Sequence, residues 1–313
     1  MNMKSYASLL VRSVVQALCF FILATQAFGQ WNGYVVLSDS TVAQPALATF
    51  QGRLFLAWAG TDGNHTMNVM SSADGLNYEN KVILSGMWSA DGYGPGLSAI
   101  PPCSTLMLSF EGGGHNVGIS TSSDGISWGP QSNFGVYSTS TPVVTGAYGN
   151  FGAVAFKDSA DRPHAYTFTS CAHSSVNVDC FIFLSNFFPP CADDGIPLNG
   201  SPGWATDRDV RAYSAANAGG QLNFGNNGGW VQAGTDHSDS GPSVAYNPAN
   251  GHWYLAWRGA GGGINIRNLN TGATVISADW SPSTPVIAVF QGQLFAAWRG
   301  GSNNIVVGRT NLF

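Results

Sequence analysis

The sequence predicts an all-β fold, a β-propeller of six blades with four antiparallel strands in each. Three observations lead there. The composition is rich in glycine and aromatics and poor in charge, one segment recurs along the chain, and turn signals fall at fixed places inside each copy. Of 313 residues, 40 are Gly, 18 Phe, 10 Trp and 10 Tyr, while only 9% are charged. Helical solvent faces need Ala, Glu, Lys and Leu in quantity, which 9% charge cannot supply. A 44% apolar content and a net charge of −5 exclude a disordered chain. With 12 Lys and Arg and no cluster of them, the chain is not expected to bind nucleic acid.

The amino terminus comes first in chain order. Lys4 and Arg12 precede an apolar stretch from Val14 to Ala24, and Ala27-Phe28-Gly29 follows. A basic start, a short apolar core and a small-x-small site predict a signal peptide over 1–29, so a secreted domain over 30–313 is expected. The apolar run is shorter than the ~20 residues of a membrane span, and no later segment is long enough, so no stable membrane insertion is expected. Cys19 falls in the signal. Cys103, Cys171, Cys180 and Cys191 remain, and in an exported chain they are expected to pair, with three connectivities open. Their spacings do not suit zinc, and no metal or cofactor is expected. Asn64-His65-Thr66 and Asn199-Gly200-Ser201 are glycosylation sequons, relevant in a glycosylating host.

The repeat decides the fold. Gln44-Pro45-Ala46-Leu47-Ala48-Thr49-Phe50-Gln51-Gly52-Arg53-Leu54-Phe55-Leu56-Ala57-Trp58 returns as Thr284-Pro285-Val286-Ile287-Ala288-Val289-Phe290-Gln291-Gly292-Gln293-Leu294-Phe295-Ala296-Ala297-Trp298. Weaker copies open at Pro95, Pro142 and Pro242, and the wide gap between the last two implies a degenerate copy. Within a copy, two strands joined by a Gly or Asn turn form a hairpin. A third strand then runs into Ser72-Ala73-Asp74-Gly75-Leu76-Asn77-Tyr78, or Ser122-Ser123-Asp124-Gly125-Ile126-Ser127-Trp128, and a fourth leads onward. The last copy stops after its third strand, at Asn304–Thr310, while Gly33–Leu37 reads as a fourth strand. The first strand is therefore expected to complete the last blade, which removes an open sheet edge. About 284 mature residues at about 48 per copy give six blades; five, with an insertion around 160–204, is the alternative.

The Ser-x-Asp-Gly-x-x-Trp/Tyr turn resembles the Asp-box of sialidase-like propellers, with one residue fewer between Asp and the aromatic. Asn270-Thr271-Gly272 is similar to a worn copy. The resemblance implies that Ser72, Asp74, Gly75, Tyr78, Ser122, Asp124, Gly125 and Trp128 are structural and lie opposite the binding face. That face is built by the loops leading into each innermost strand and the loops joining strands two and three. The first set offers Asp39, Asp91, Tyr93, His237, Asp239, Asp279 and Trp280. The second offers Trp58, Asp62, Glu111, His115, Trp257, Arg258, Trp298 and Arg299. Carboxylates and guanidinium groups interleaved with aromatics are what a sugar site needs, because hydroxyls want planar polar partners and a pyranose face wants a ring. The recurrence of Trp58, Trp257 and Trp298 at one repeat position equally fits a core between blades.

A sialidase-like resemblance also implies an arginine triad, a Tyr–Glu nucleophile pair and an Asp acid/base. The family's Phe-Arg-Ile-Pro segment is absent before the first box, and the mature chain has only two glutamates, Glu79 and Glu111. A glycosidase of another kind needs two carboxyl groups across a pocket, for which Asp91, Glu111 and Asp239 are candidates. His237-Ser238-Asp239-Ser240-Gly241-Pro242 only superficially matches a serine-protease segment, because Pro242 is the repeat proline. Asp207-Arg208-Asp209 lacks the further ligands and glycine of a calcium loop. The leading expectation is a lectin-like binder of glycans or glycoconjugates. A glycoside hydrolase with a central pocket and a non-catalytic protein-interaction propeller are the alternatives. Equivalent sets repeated from blade to blade favour the lectin; one axial cluster of arginines and acids favours the enzyme.

Overall fold

The structure is a computed structural model, and it describes residues 31–310 apart from 91, 101–103, 147–150, 161–162, 170–202, 208–209, 217–219, 227–228 and 239. The signal segment, the four mature cysteines with their expected pairing, Asn199, and the candidates Asp91 and Asp239 lie outside the described residues.

Strand β1 (Trp31–Ser40) is followed by a sheet of β2 (Ala46–Phe50), β3 (Arg53–Ala59), β4 (Thr66–Ser72) and β5 (Tyr78–Trp88). The next sheet holds β6 (Gly96–Ile100), β7 (Thr105–Glu111), β8 (Asn116–Ser122) and β9 (Ser132–Tyr137). Then come β10 (Val143–Gly146), β11 (Phe151–Lys157) and β12 (Pro163–Thr169), a sheet of three described strands. The fourth sheet has β13 (Gly203–Asp207), β14 (Val210–Ala216), β15 (Gln221–Asn226) and β16 (Gly229–His237), and occupies the degenerate copy. The fifth has β17 (Ser243–Asn247), β18 (His252–Arg258), β19 (Gly263–Asn268) and β20 (Thr274–Trp280). The chain ends on β21 (Val286–Phe290), β22 (Gln293–Arg299) and β23 (Asn304–Thr310), and β1 pairs antiparallel with β23 as the fourth strand of that sheet. Every sheet is an antiparallel meander, so the fold is an all-β propeller.

The repeat shows why each strand sits where it does. Middle strands such as β3, Arg-Leu-Phe-Leu-Ala-Trp-Ala, are buried on both faces and read as continuous apolar runs. Outer strands β1 and β5 alternate toward solvent, with Tyr34, Val36 and Ile83 exposed. The core lies between sheets. Leu54, Leu56, Trp58 and Met70 pack against Phe290, Phe295, Ala297 and Ile305 of the last sheet. Ala46, Phe55, Ala57 and Val69 pack the other way, against Leu97, Leu106, Leu108 and Phe110. Each such Leu or Phe contributes roughly 1.5–3 kcal/mol by leaving water. Innermost strands also touch. Thr49 Oγ1 donates to the Val289 carbonyl (2.7 Å), and the Ile287 N–H donates to Ser243 Oγ (3.1 Å). A Cβ on Gly96 would lie 2.5 Å from the Pro142 carbonyl, so glycine permits that approach.

Candidate functional site

Each sheet has two ends with different chemistry. At one end stand the β2–β3 type hairpin and the turn between strands three and four. Gln51 (φ 45°) and Gly52 (φ 72°), like Gln291 (φ 51°) and Gly292 (φ 74°), form two-residue turns with both φ positive, the geometry that suits a tight hairpin. Beside them, Asp74 Oδ1 accepts the N–H groups of Leu76 (2.9 Å) and Asn77 (2.8 Å), and Ser72 Oγ accepts that of Gly75 (2.8 Å). Asp124 repeats this with Ile126 (2.8 Å) and Ser127 (2.7 Å), and Ser122 with Gly125 (2.8 Å). Those backbone bonds hold both carboxyls well below the ordinary carboxylate range. The turn also grips the preceding sheet: Gln291 Nε2 donates to the Ala73 carbonyl (3.2 Å) and Gln51 Nε2 to that of Ser123 (3.0 Å). Trp128 Nε1 donates to the Gly125 carbonyl (3.3 Å). Tyr78 packs with its hydroxyl buried and, among the described residues, without a hydrogen-bond partner, and burial, with the Asp74 charge beside it, raises that hydroxyl above its usual range. In the worn copy the acceptor is Asn268, whose Oδ1 takes the N–H groups of Asn270 (3.0 Å) and Thr271 (3.1 Å).

The opposite end carries the loops where ligand contacts are expected, and a common frame builds them. A buried hydroxyl residue follows each outer strand: Thr41, Ser89, Ser138, Ser238 and Ser281. Its N–H donates to the last residue of the loop between strands two and three, namely Asn303, His65, His115, Gly220 and Gly262 in the same order. Three of the hydroxyls donate two residues on, Thr41 to Ala43 (3.0 Å), Ser138 to Ser140 (2.8 Å) and Ser281 to Ser283 (2.7 Å), closing hydroxyl turns that bend the chain toward the repeat proline. His65, His115, Gly262 and Asn303 all have positive φ (53°, 62°, 82° and 65°), so the left-handed turn is a property of the frame.

The residue closing strand two varies on this frame. Arg299 donates from Nη1 to the Val42 carbonyl (2.6 Å) and from Nε to Asn303 Oδ1 (3.0 Å), and burial pulls its guanidinium below the ordinary value. Arg258 donates from Nε to the Ser281 carbonyl (2.8 Å). At the same position in the second sheet, Glu111 is fully buried. Its Oε2 accepts from Ser89 Oγ (3.1 Å) and the Ala90 N–H (3.0 Å), and its Oε1 lies 2.7 Å from His115 Nδ1. The His115 ring meets Tyr137 at 4.8 Å.

Trp58, Trp257 and Trp298 are 1–3% exposed, which corrects their assignment as ligand contacts. Neighbouring sheets bury them, and each is capped. Lys81 lies over Trp58 at 5.3 Å and pairs with Asp39. Arg267 lies over Trp257 at 5.8 Å and pairs with Asp236 (2.6 Å). Trp31 stacks on Trp298 at 5.0 Å, and its Nε1 donates to Asp279 Oδ2 (2.6 Å). The acid two positions before the buried hydroxyl, expected to meet ligand as Asp39 and Asp279, thus ties one sheet to the next. Asp62 turns inward on its own loop. Although its slight burial opposes ionisation, the Thr66 hydroxyl (2.9 Å) and the N–H groups of Asn64 and Thr66 hold its carboxyl below the ordinary range. Tyr93 is half-buried in the loop after β5, while His237 and Trp280 are exposed at the ends of β16 and β20.

The described candidates are therefore distributed over the sheets, and among them Glu111 and His115 stand in direct contact. Sequence reasoning missed Trp88 and Tyr137, which are exposed at the repeat position of Trp280. The signal was present as an aromatic directly before the hydroxyl, in Trp88-Ser89, Tyr137-Ser138 and Trp280-Ser281. Among the described residues no group of three or more His, Cys, Asp or Glu is placed to hold a metal ion.

No family model matches the chain, and no curated protein matches it in sequence. Solved structures do. The SapL1 lectin in complex with alpha methyl fucoside superposes with a TM-score of 0.61 at 12% identity, over 87% of this chain and 97% of the lectin. The fold is that of a β-propeller. In keeping with it, a mutant of NanB sialidase from Streptococcus pneumoniae gives a TM-score of 0.58 at 10% identity, over 91% of this chain and 70% of that one. A Hadza microbial sialidase gives 0.56 at 14%, over 87% of this chain, which spans 66% of the sialidase's length. A lectin and sialidases thus share this propeller fold, so the fold does not choose between binding and hydrolysis.

Proposed function

We propose that this chain is a secreted, lectin-like propeller that binds glycans through the loop end of its sheets. The observation that carries the reading is repetition: one loop frame recurs in five sheets, with its variable side chains at equivalent positions. Equivalent shallow sites give avidity without a deep pocket. Four arginines whose side chains are described, by contrast, are engaged with partners within the chain. Arg258 and Arg299 bind loop carbonyls, and Arg267 and Arg53 pair with Asp236 and Glu79, so none of these joins a carboxylate-gripping triad. Glu111, the glutamate of that end, has both oxygens occupied. We further infer that the six sheets are six blades of one ring, closed by β1. The β1–β23 pairing and the contacts linking β2, β6, β10, β13, β17 and β21 in turn and back to β2 support closure.

A printed glycan array carrying fucosides and sialosides, run beside hydrolysis of chromogenic glycosides, tests the function. Binding without turnover is expected. Turnover of any glycoside that is lost in Arg258→Ala or Arg299→Ala would sink the lectin reading.

A further inference from the structure

Five outer strands share an irregularity just before the loop end. Pairing steps from Val36↔Val306 to Ser40↔Asn304 in the last sheet, and from Ile83↔Asn68 to Trp88↔Thr66 in the first. It steps from Asn133↔Gly118 to Tyr137↔Asn116, from Gln232↔Asn223 to His237↔Gln221, and from Ile276↔Asn265 to Trp280↔Gly263 in the others. Each outer strand thus spends four or five residues where its neighbour advances two. Such bulges re-aim the side chain that follows them. The residue delivered always stands opposite the first residue of strand three and directly before the buried hydroxyl. It is Ser40, Trp88, Tyr137, His237 or Trp280.

Three of these five are large aromatics, exposed by 40% (Trp88), 45% (Tyr137) and 48% (Trp280). Each is backed on one side. Trp88 lies over Gly113, where a Cβ would come within 3.2 Å of the indole, and Trp280 over Gly262, where a Cβ would come within 2.0 Å. Tyr137 rests on His115, which Glu111 fixes. A ring held from behind and open in front is preorganised, so little side-chain freedom remains to be lost on binding. The recurring Trp58, Trp257 and Trp298 differ in being buried and capped.

We propose that Trp88, Tyr137 and Trp280 are sugar-stacking platforms, one on each of three sheets, each taking the apolar C–H face of a single pyranose. The proposal rests on the glycan-binding reading and names the residues through which it works. A single ring on each of three sheets, set among Ser, Thr, His and Gly, suits isolated sugar units, whereas a protein partner wants a contiguous apolar patch.

Two measurements test it. On the same glycan array, Trp88→Ala, Tyr137→Ala and Trp280→Ala should each lower binding of the glycans that the wild type captures by about tenfold, and the triple variant by about a hundredfold or more. Hydroxyl-radical footprinting of the wild-type protein with the captured glycan needs no variant, so misfolding cannot confuse it. Oxidation of Trp88, Tyr137 and Trp280 should slow several-fold, with Trp58 and Trp298 unchanged. Glycan capture with no protection of the three rings would overturn the platforms and leave the glycan reading standing. A wild-type protein that captures no glycan overturns both.

Discussion

The two ends of each sheet solve different problems with the same tools. At the hairpin end, Ser72–Asp74 and Ser122–Asp124 perform the same hydrogen bonding with the same residue types, and every acceptor is turned inward on the chain. At the loop end the backbone frame is equally regular, but the side chains it carries diverge, with Glu111 where other sheets place Arg258 and Arg299. Repetition of side chains marks structure, and repetition of frame with divergent side chains marks the end where recognition can be written. Charge-reversed solutions on one frame imply that each loop corner is stabilised separately.

The sharpest way to break that comparison is to empty the buried corner. Glu111→Ala leaves the Ser89 hydroxyl, the Ala90 N–H and His115 facing a void, and should lower stability by about 3 kcal/mol. Urea denaturation measures it. A loss under 1 kcal/mol, on the order of one surface contact, would mean that the corner is solvated and the frame is not held by Glu111.

Next in size are two glycines at the hairpin end. Gly125 (φ 75°) would place a Cβ 2.0 Å from the Phe55 ring, whereas Gly52 (φ 72°) has nothing within 4 Å. Both substitutions to Ala carry the left-handed strain of roughly 1 kcal/mol, and only Gly125→Ala adds displacement of a core ring, for about 2–3 kcal/mol in all. Equal costs would show that the turn does not dock on the preceding sheet. Gly75 against Phe295 offers the same comparison in the neighbouring sheet pair.

These contrasts also mark what was legible in sequence. Pro45 and Pro285 with their Phe-Gln-Gly hairpins, and Asp74 and Asp124 with their turns, were readable because hairpin and turn chemistry is local. The burial of Trp58 was only half readable. Its repetition fitted a core, but its Lys81 cap comes from the outer strand and the Asp39 that fixes the cap from another sheet. Asp39 and Asp279 looked like ligand acids for the same reason, since their partners Lys81 and Trp31 are remote in sequence. Trp88 and Tyr137 escaped because a bulge, which no spacing rule of period two anticipates, turns them outward.

A smaller effect separates the corners from one another. Arg299→Ala removes donors from the Val42 carbonyl and Asn303 in a half-buried place, and should cost about 1 kcal/mol, well below Glu111→Ala. If the lectin reading holds, glycan capture should persist in the stable variant. A loss of capture at unchanged melting temperature would move recognition from the outer rings to the arginines.

The weakest effect comes from acid. Asp74 and Asp124 titrate below the ordinary carboxylate value of 3.8 in the folded chain because backbone N–H groups stabilise the charged form. The unfolded chain therefore binds protons first. The stabilisation is fully present above that ordinary value and is lost as pH falls through it toward the lower folded-state values. Both turns are solvent-exposed, so screening keeps the effect small. Melting temperature should fall between pH 5 and pH 2, and an Asp74→Asn, Asp124→Asn double variant should start lower at pH 7 and decline less steeply. A slope identical to that of the wild type would show that these two turns do not carry the acid sensitivity.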